Sequence, residues 1–209
     1  MKKLVIGIGG VSNGGKTTLT SKLKNVLPNC YSLHQDSYDC YTFHPDSLGK
    51  EPGHVQIDPE HGWMMWDELS AVHNDVMLED VKRWLENPAA FSQSATSTGD
   101  STDVHVLLIE GFLIYNYRPL EKVFDARYSF VLPFEEARRR RLSRTYTPPD
   151  SPGFFEGHVW PMYLKYKNEL LDLNIQTIDL DGTKPVEENF ERVKTDILDM
   201  IKHLKDSQI

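Results

Sequence analysis

The sequence predicts an α/β fold built on a mainly parallel sheet, and three observations carry that reading. Five short apolar runs alternate with stretches of helical spacing along the whole chain, the pattern of successive βαβ units joined by right-handed crossovers. A glycine-rich turn, GGVSNGGKTT at residues 9–18, joins the first apolar run to the first helical stretch. No internal repeat and no linker-like segment divides the 209 residues. One domain is therefore expected over 1–209, of a size that buries about 70% of its unfolded surface.

The elements follow in order. Residues 3–8 (KLVIGI) read as a buried strand, and residues 17–27 as a helix that Pro28-Asn29 ends. A second strand is expected at 31–35, leading to Asp36. Residues 37–62, punctuated by Pro45, Gly49, Pro52, Gly53, Pro59 and Gly62, read as a long functional loop. Residues 63–85 read as one helix, with Leu69, Val72, Val76, Val81 and Leu85 mostly on one face. The polar run SQSATSTGDSTD at 92–103 reads as an exposed loop. VHVLLI at 104–109 is the most apolar run and reads as a central strand ending at Glu110-Gly111. Strand 128–132, arginine-loaded helix 134–144, turn-rich loop 148–157, helix 158–173, strand 176–180 and helix 185–204 complete the chain. Pro185 suits the first turn of the last helix.

Composition narrows the function. The chain is 39% hydrophobic and 26% charged, with a net charge of −8, so neither a membrane span nor a nucleic-acid surface is expected. The two cysteines, Cys30 and Cys40, make no disulfide framework and fit a reducing, cytoplasmic compartment. The basic residues are concentrated: Arg138, Arg139, Arg140, Arg141 and Arg144 fall within one short segment. Local positive charge in an acidic chain suits a small anion.

That anion has a cradle. Gly10-Val11-Ser12-Asn13-Gly14-Gly15-Lys16-Thr17, followed by Thr18, satisfies G-x-x-x-x-G-K-[ST] in the required strand-turn-helix context. Glycines let backbone N–H groups turn inward, and the helix adds its positive end. Lys16 reaches the β- and γ-phosphates, and the Thr17 hydroxyl can ligate Mg²⁺. A GTPase timer would need a base-reading Asn-Lys-x-Asp tetrapeptide, which the sequence lacks.

Two acids follow strands, at the carboxyl edge where open α/β sheets place their sites: Asp36 after the second and Glu110 after the third. Phosphoryl transfer needs a group to take the acceptor hydroxyl's proton and groups to hold Mg²⁺. Asp36 is the candidate base and a metal partner; Glu110 is the candidate for a metal or substrate-hydroxyl contact. Helical spacing sets Arg140 and Arg144 on one face, so Arg140, Arg141 and Arg144 are expected to serve a lid over about 134–157, with Arg138 and Arg139 on the surface.

On these residues the chain resembles nicotinamide riboside kinases over nearly its whole length. The resemblance rests on GGVSNGGKTTLT, LPNC with HQDSY, LLIEGFLIYNYRPL, LDGTK and, most distinctively, RRRRLSRTYTPPDSPGFFEGHVWPMYLKYK. It implies a three-layer α/β/α P-loop kinase fold with a five-stranded parallel sheet and an arginine-rich lid helix. It also implies Mg²⁺-dependent transfer of phosphate from ATP, with GTP as the alternative donor, to the ribose 5′-hydroxyl of a small nucleoside. By the resemblance Asp36 is catalytic, Trp66-Asp67 bind ring and ribose, Tyr146 faces the ring's other side, and Arg141 touches substrate. Arg140, Arg144 and Lys184 contact ATP. A pyridinium ring is a flat cation that aromatic faces attract. The chain departs from the family pattern after the base, where Asp36-Ser37-Tyr38-Asp39-Cys40 stands in place of a second aspartate and two phenylalanines. Only Tyr38 keeps an aromatic there, as a substrate contact. The loop from Cys40 to Trp63 is also longer, by roughly ten residues. A uridine/cytidine-type nucleoside kinase and a non-catalytic nucleotide-binding adaptor are the competing readings. His158 is expected to pack rather than react.

Overall fold

The computed structural model describes residues 1–39, 55–91, 103–146 and 149–206. Cys40 and most of the loops expected at 37–62 and 92–103 lie outside the described residues. Five strands form one parallel sheet in the order β2-β3-β1-β4-β5. They are β1 (Lys2–Gly10), β2 (Cys30–His34), β3 (Val104–Glu110), β4 (Ala126–Val131) and β5 (Ile178–Asp181). The helices are α1 (Lys16–Val26), α2 (Asn74–Glu86), α3 (Phe134–Leu142), α4 (Trp160–Asp172) and α5 (Val186–Asp206). The order bears out the alternating α/β pattern. β3 is buried along its whole length between β2 and β1, as its continuous apolar run requires.

Side chains alternate across β1, and so do its helix layers. Leu4, Ile6 and Ile8 share a cluster with Leu19 and Leu23 of α1 and Val193, Ile197 and Ile201 of α5. Val5 belongs to a second cluster with Met77, Val81 and Trp84 of α2 and Leu107 and Ile109 of β3. Each such side chain contributes roughly 1.5–3 kcal/mol when fully buried. A third cluster joins Val11, Leu132, Ala137, Phe154, Phe155 and Val159, with Trp63, Trp66 and Trp160 packed against it.

That third cluster explains where the single helix expected over 63–85 fails. Trp63 and Trp66 pack into it, while Met77, Val81 and Trp84 pack into the second cluster, so one straight helix would serve neither. The chain instead pairs Met64 with Ile57 in an antiparallel bridge, turns once at Leu69–Ala71 and begins α2 at Asn74. Buried Asn74 secures the junction, its Nδ2 donating to the carbonyls of Leu69 (2.9 Å) and Val72 (3.1 Å). The helix expected at 158–173 is also preceded by a wider turn, Phe155–Val159, in which His158 stacks on Phe154 at 5.1 Å. Burial lowers the pKa of His158, which suits the packing role expected for it.

Candidate active site

The turn between β1 and α1 is shaped by backbone conformations that favour glycine. Gly10 (φ 109) and Gly15 (φ 113) lie in the left-handed region, and Asn13 joins them at φ 60. A Cβ on Gly10 would stand 2.3 Å from the Phe130 carbonyl oxygen. Val11 N–H donates to that carbonyl at 3.0 Å, and Gly14 N–H to the Val11 carbonyl at 3.1 Å. The first amides of α1 and its positive end therefore face the C-terminal edge of the sheet, the arrangement that binds phosphate. Lys16 Nζ donates to the carbonyls of Gly10 (3.2 Å) and Val11 (3.0 Å). Burial lowers its pKa, against the pull of Glu110, Asp36 and Asp67.

Glu110, the last residue of β3, is 3% exposed. Thr17 Oγ1 lies 3.3 Å from each of its carboxylate oxygens. His34, the last residue of β2, is its register partner, and the His34 Nδ1 to Glu110 Oε2 distance is 2.6 Å. Asp36 follows in the turn Gln35–Tyr38. Gln35, fully buried, pins that turn: its Nε2 donates to Asn74 Oδ1 (3.1 Å), and its Oε1 accepts from Leu113 N–H (2.9 Å). Asp36 is thus held against both the loop after β3 and the start of α2. Its pKa is raised, chiefly by burial and further by Glu110 and Asp39, with Lys16 and Arg144 opposing.

The arginines meet on the phosphate loop, though by another route than helical spacing. α3 stops at Leu142, so Arg144 stands beyond it. Arg140 donates from Nη1 to the Asn13 carbonyl (3.3 Å) and from Nη2 to the Gly182 carbonyl (2.8 Å). Arg144 Nη1 and the Tyr146 hydroxyl both donate to Asn13 Oδ1 at 3.1 Å. Arg141 is buried in α3, makes a two-pronged contact with Asp150 (2.6 and 2.9 Å), and stands 4.1 Å from the Tyr146 ring centroid. Arg138 pairs with Glu156 and Arg139 with Glu136 on the exposed side.

One cleft of about 850 Å³ gathers most of the candidates. Ser12, Asn13, Gly15, Lys16, Thr17 and Thr18 line its loop side, with Asp36 and Glu110. Trp66, Asp67, Arg140, Arg141, Arg144 and Tyr146 line it too. Asp67 lies in low-dielectric surroundings, and burial pushes its pKa up to about 6 against the opposing Arg141 charge. Gly10 and Val11 border a smaller cavity of about 200 Å³ beneath the loop, and Gly14 packs toward Phe130.

Two expected contacts are not brought to the cleft. The Tyr38 hydroxyl donates to Asp80 on α2 at 2.7 Å. Asp39, which leaves the turn Gln35–Tyr38 in extended conformation and forms an isolated antiparallel bridge with Val72, lines the cleft in its place. Lys184 pairs with Glu188 at the start of α5 and is absent from the cleft lining. Trp63 and Asp39 also line the cleft and His34 touches Glu110, three positions to which the sequence assigns no role. The HQD triplet at a strand end was the only signal for His34.

The donor set suits phosphate with a hard divalent cation. Asn13 Nδ2 is a buried donor without a partner among the described residues, and Thr17 and Glu110 present oxygens to one point. Among the described residues no group of three His, Cys, Asp or Glu could hold a metal alone. Mg²⁺ fits that sparseness, since it takes one or two protein oxygens and completes its shell with phosphate and water. Among the described residues no helix is long and apolar enough to cross a membrane.

No protein-family model matches the chain. It is 44% identical over 197 residues to nicotinamide riboside kinase 2 of Mus musculus, covering 93% of this chain and 95% of that protein. It is 40% identical over 209 residues to nicotinamide riboside kinase 1 of Homo sapiens, covering 100% and 99%. Among solved structures, a sugar kinase from Janibacter sp. is similar at a TM-score of 0.52 and 17% identity, covering 92% of this chain and 93% of that one. That last likeness concerns the fold.

Proposed function

This chain belongs to the nicotinamide riboside kinase family, and from that premise we propose which residues carry the phosphorylation of nicotinamide riboside. The observation that supports the assignment is the shared lining: the phosphate loop, Asp36 and the Trp66–Asp67–Tyr146 set all border one cleft. ATP is the donor, GTP the alternative, and the ribose 5′-hydroxyl is the acceptor. The product, nicotinamide mononucleotide, makes this a salvage step toward NAD in the cytoplasm. The whole chain acts as a single kinase domain.

The residues divide the work. Backbone amides from Ser12 to Thr18, with Lys16, hold the donor phosphates, and Arg140 and Arg144 add positive charge from a lid over 134–157. Asp36 accepts the acceptor's proton; burial raises its affinity for that proton without removing the carboxylate from reach. Thr17, Asp36 and Glu110 would hold Mg²⁺, whose charge would offset that of the phosphates. Asp67 accepts ribose hydroxyls, Arg141 steadies the same end, and Trp66 and Tyr146 offer faces to the cationic ring.

Five carboxylates, Asp36, Asp39, Asp67, Glu110 and Asp150, share the lining with Lys16, Arg140, Arg141 and Arg144. With Arg141 engaged by Asp150 and the other cations facing the donor phosphates, the carboxylates and the Trp66 and Tyr146 faces favour an acceptor whose ring is positive. Nicotinamide riboside is expected to be phosphorylated with the highest kcat/KM, with nicotinic acid riboside as a weaker second acceptor because its ring carries a carboxylate. Uridine should fall at least about tenfold below nicotinamide riboside, since a neutral pyrimidine loses the cation–π and charge attraction. Product analysis with MgATP and these three nucleosides decides it, and a higher kcat/KM for uridine would sink the assignment.

A further inference from the structure

We propose that His34 is a positioning residue for phosphoryl transfer: through Nδ1 it fixes the Glu110 carboxylate so that both oxygens face Thr17. The inference rests on the reading of Glu110 and Thr17 as metal-side residues and adds the group that holds them in place.

The juxtaposition is built by the sheet. His34 and Glu110 are register partners at the C-terminal ends of neighbouring parallel strands, so their side chains leave the same face at the same level. Their contact is 2.6 Å between Nδ1 and Oε2. An ionised carboxylate only accepts, so Nδ1 carries the hydrogen whatever the charge of the ring. The far nitrogen is also engaged: Ser32 Oγ lies 3.2 Å from His34 Nε2. Ser32 is two residues earlier on the same strand and therefore on the same face. The result is a line of contacts from Ser32 through His34 and Glu110 to Thr17 at the start of α1.

Its members have little else to do. Glu110 is buried, and among the described residues its carboxylate has hydrogen-bond contacts with His34 and Thr17. The His34 side chain is 32% exposed on the edge strand β2, and both of its ring nitrogens meet polar partners. The contacts on both nitrogens fix the ring's orientation. Without it, the Glu110 carboxylate would regain rotational freedom and present its oxygens to Thr17 for only part of the time. Partners that stand behind metal-side groups commonly matter about 10- to 100-fold in metal affinity or activity.

The experiment compares His34→Ala, His34→Asn, Glu110→Gln and the double variant His34→Ala/Glu110→Gln in the full chain. The probe is Mn²⁺ binding in the presence of a non-hydrolysable ATP analogue, followed by electron paramagnetic resonance. Steady-state kinetics and thermal unfolding accompany it. His34→Ala should weaken Mn²⁺ binding and lower kcat, each by about tenfold, with the riboside KM within about twofold of the parent. His34→Asn keeps a donor near the Nδ1 position and should recover most of the loss. In the Glu110→Gln background His34→Ala should cost nothing further, because the two act as one unit. Parent-like Mn²⁺ affinity and kcat in His34→Ala, with only a lower melting temperature, would make the residue structural and overturn the proposal. Additive losses in the double variant would overturn it too. Unchanged Mn²⁺ affinity in Glu110→Gln would instead remove the metal-side reading itself, and the proposal with it.

Discussion

Asp36→Asn is expected to lower kcat by roughly 10²- to 10⁴-fold while ATP binding stays close to the parent value. The substitution keeps shape and burial but removes the only group in the turn that can accept a proton. Asp36 is suited to that task by its surroundings. Burial raises its pKa, and Glu110 and Asp39 add to the effect, while Lys16 and Arg144 keep the ionised form available. A base moved toward the working pH accepts a proton with less loss of driving force. Gln35 holds the turn through Asn74 and Leu113, so the asparagine variant should fold as the parent does. Calorimetric titration with ATP and steady-state rates separate binding from turnover. Parent-like turnover would take Asp36 out of the base role. A parent chain that binds ATP without phosphorylating any riboside would support the adaptor reading.

Asp67→Asn should move affinity and stability in opposite directions. The carboxylate that would receive the ribose hydroxyls is held in surroundings that raise its pKa to about 6. Losing a charged hydrogen-bond acceptor should raise the riboside KM by roughly 10- to 100-fold. The fold, however, is relieved of a buried charge. A carboxyl that titrates near 3.9 in the unfolded chain and near 6 in the folded one contributes stability that is complete below about pH 4. That contribution is lost as the pH rises through about 6, so at pH 8 the ionised group costs on the order of 3 kcal/mol. Asp67→Asn should therefore be more stable than the parent at pH 8 and indistinguishable from it near pH 4. Urea unfolding at the two pH values checks this; a variant less stable at pH 8 would contradict it. The parent's riboside KM should also rise as the pH falls through about 6.

What could be read from the sequence was local. The phosphate loop lies within a dozen residues of one strand and one helix, and its glycines state their backbone conformations directly. The apolar runs locate the strands because parallel strands are buried on both faces. The failures are all non-local. Residues 63–73 carry helical spacing, but their tryptophans belong to a cluster built by α3 and the Phe155–Val159 turn. Arg140 and Arg144, spaced for one helix face, do both reach Asn13, but α3 ends at Leu142 and Arg144 reaches it from beyond the helix. Tyr38 sits two residues after the base in sequence, but the turn Gln35–Tyr38 delivers its hydroxyl to Asp80 on α2. His34 acquires its partner through register with a strand 76 residues away, which no spacing within the HQD triplet could foretell.

The third apolar cluster has an optical consequence. Three of the four tryptophans, Trp63, Trp66 and Trp160, pack against it, while Trp84 is enclosed in the second cluster. Trp63 stacks on His61 with ring centroids 4.2 Å apart and meets Phe154 edge-on, and Trp66 borders the cleft. The protein's ultraviolet emission is thus weighted toward the end of the molecule that carries the cleft. A flat, electron-poor ring resting on Trp66 would quench that light, leaving Trp84 as a constant internal reference, so the unlabelled chain carries its own indicator of occupancy.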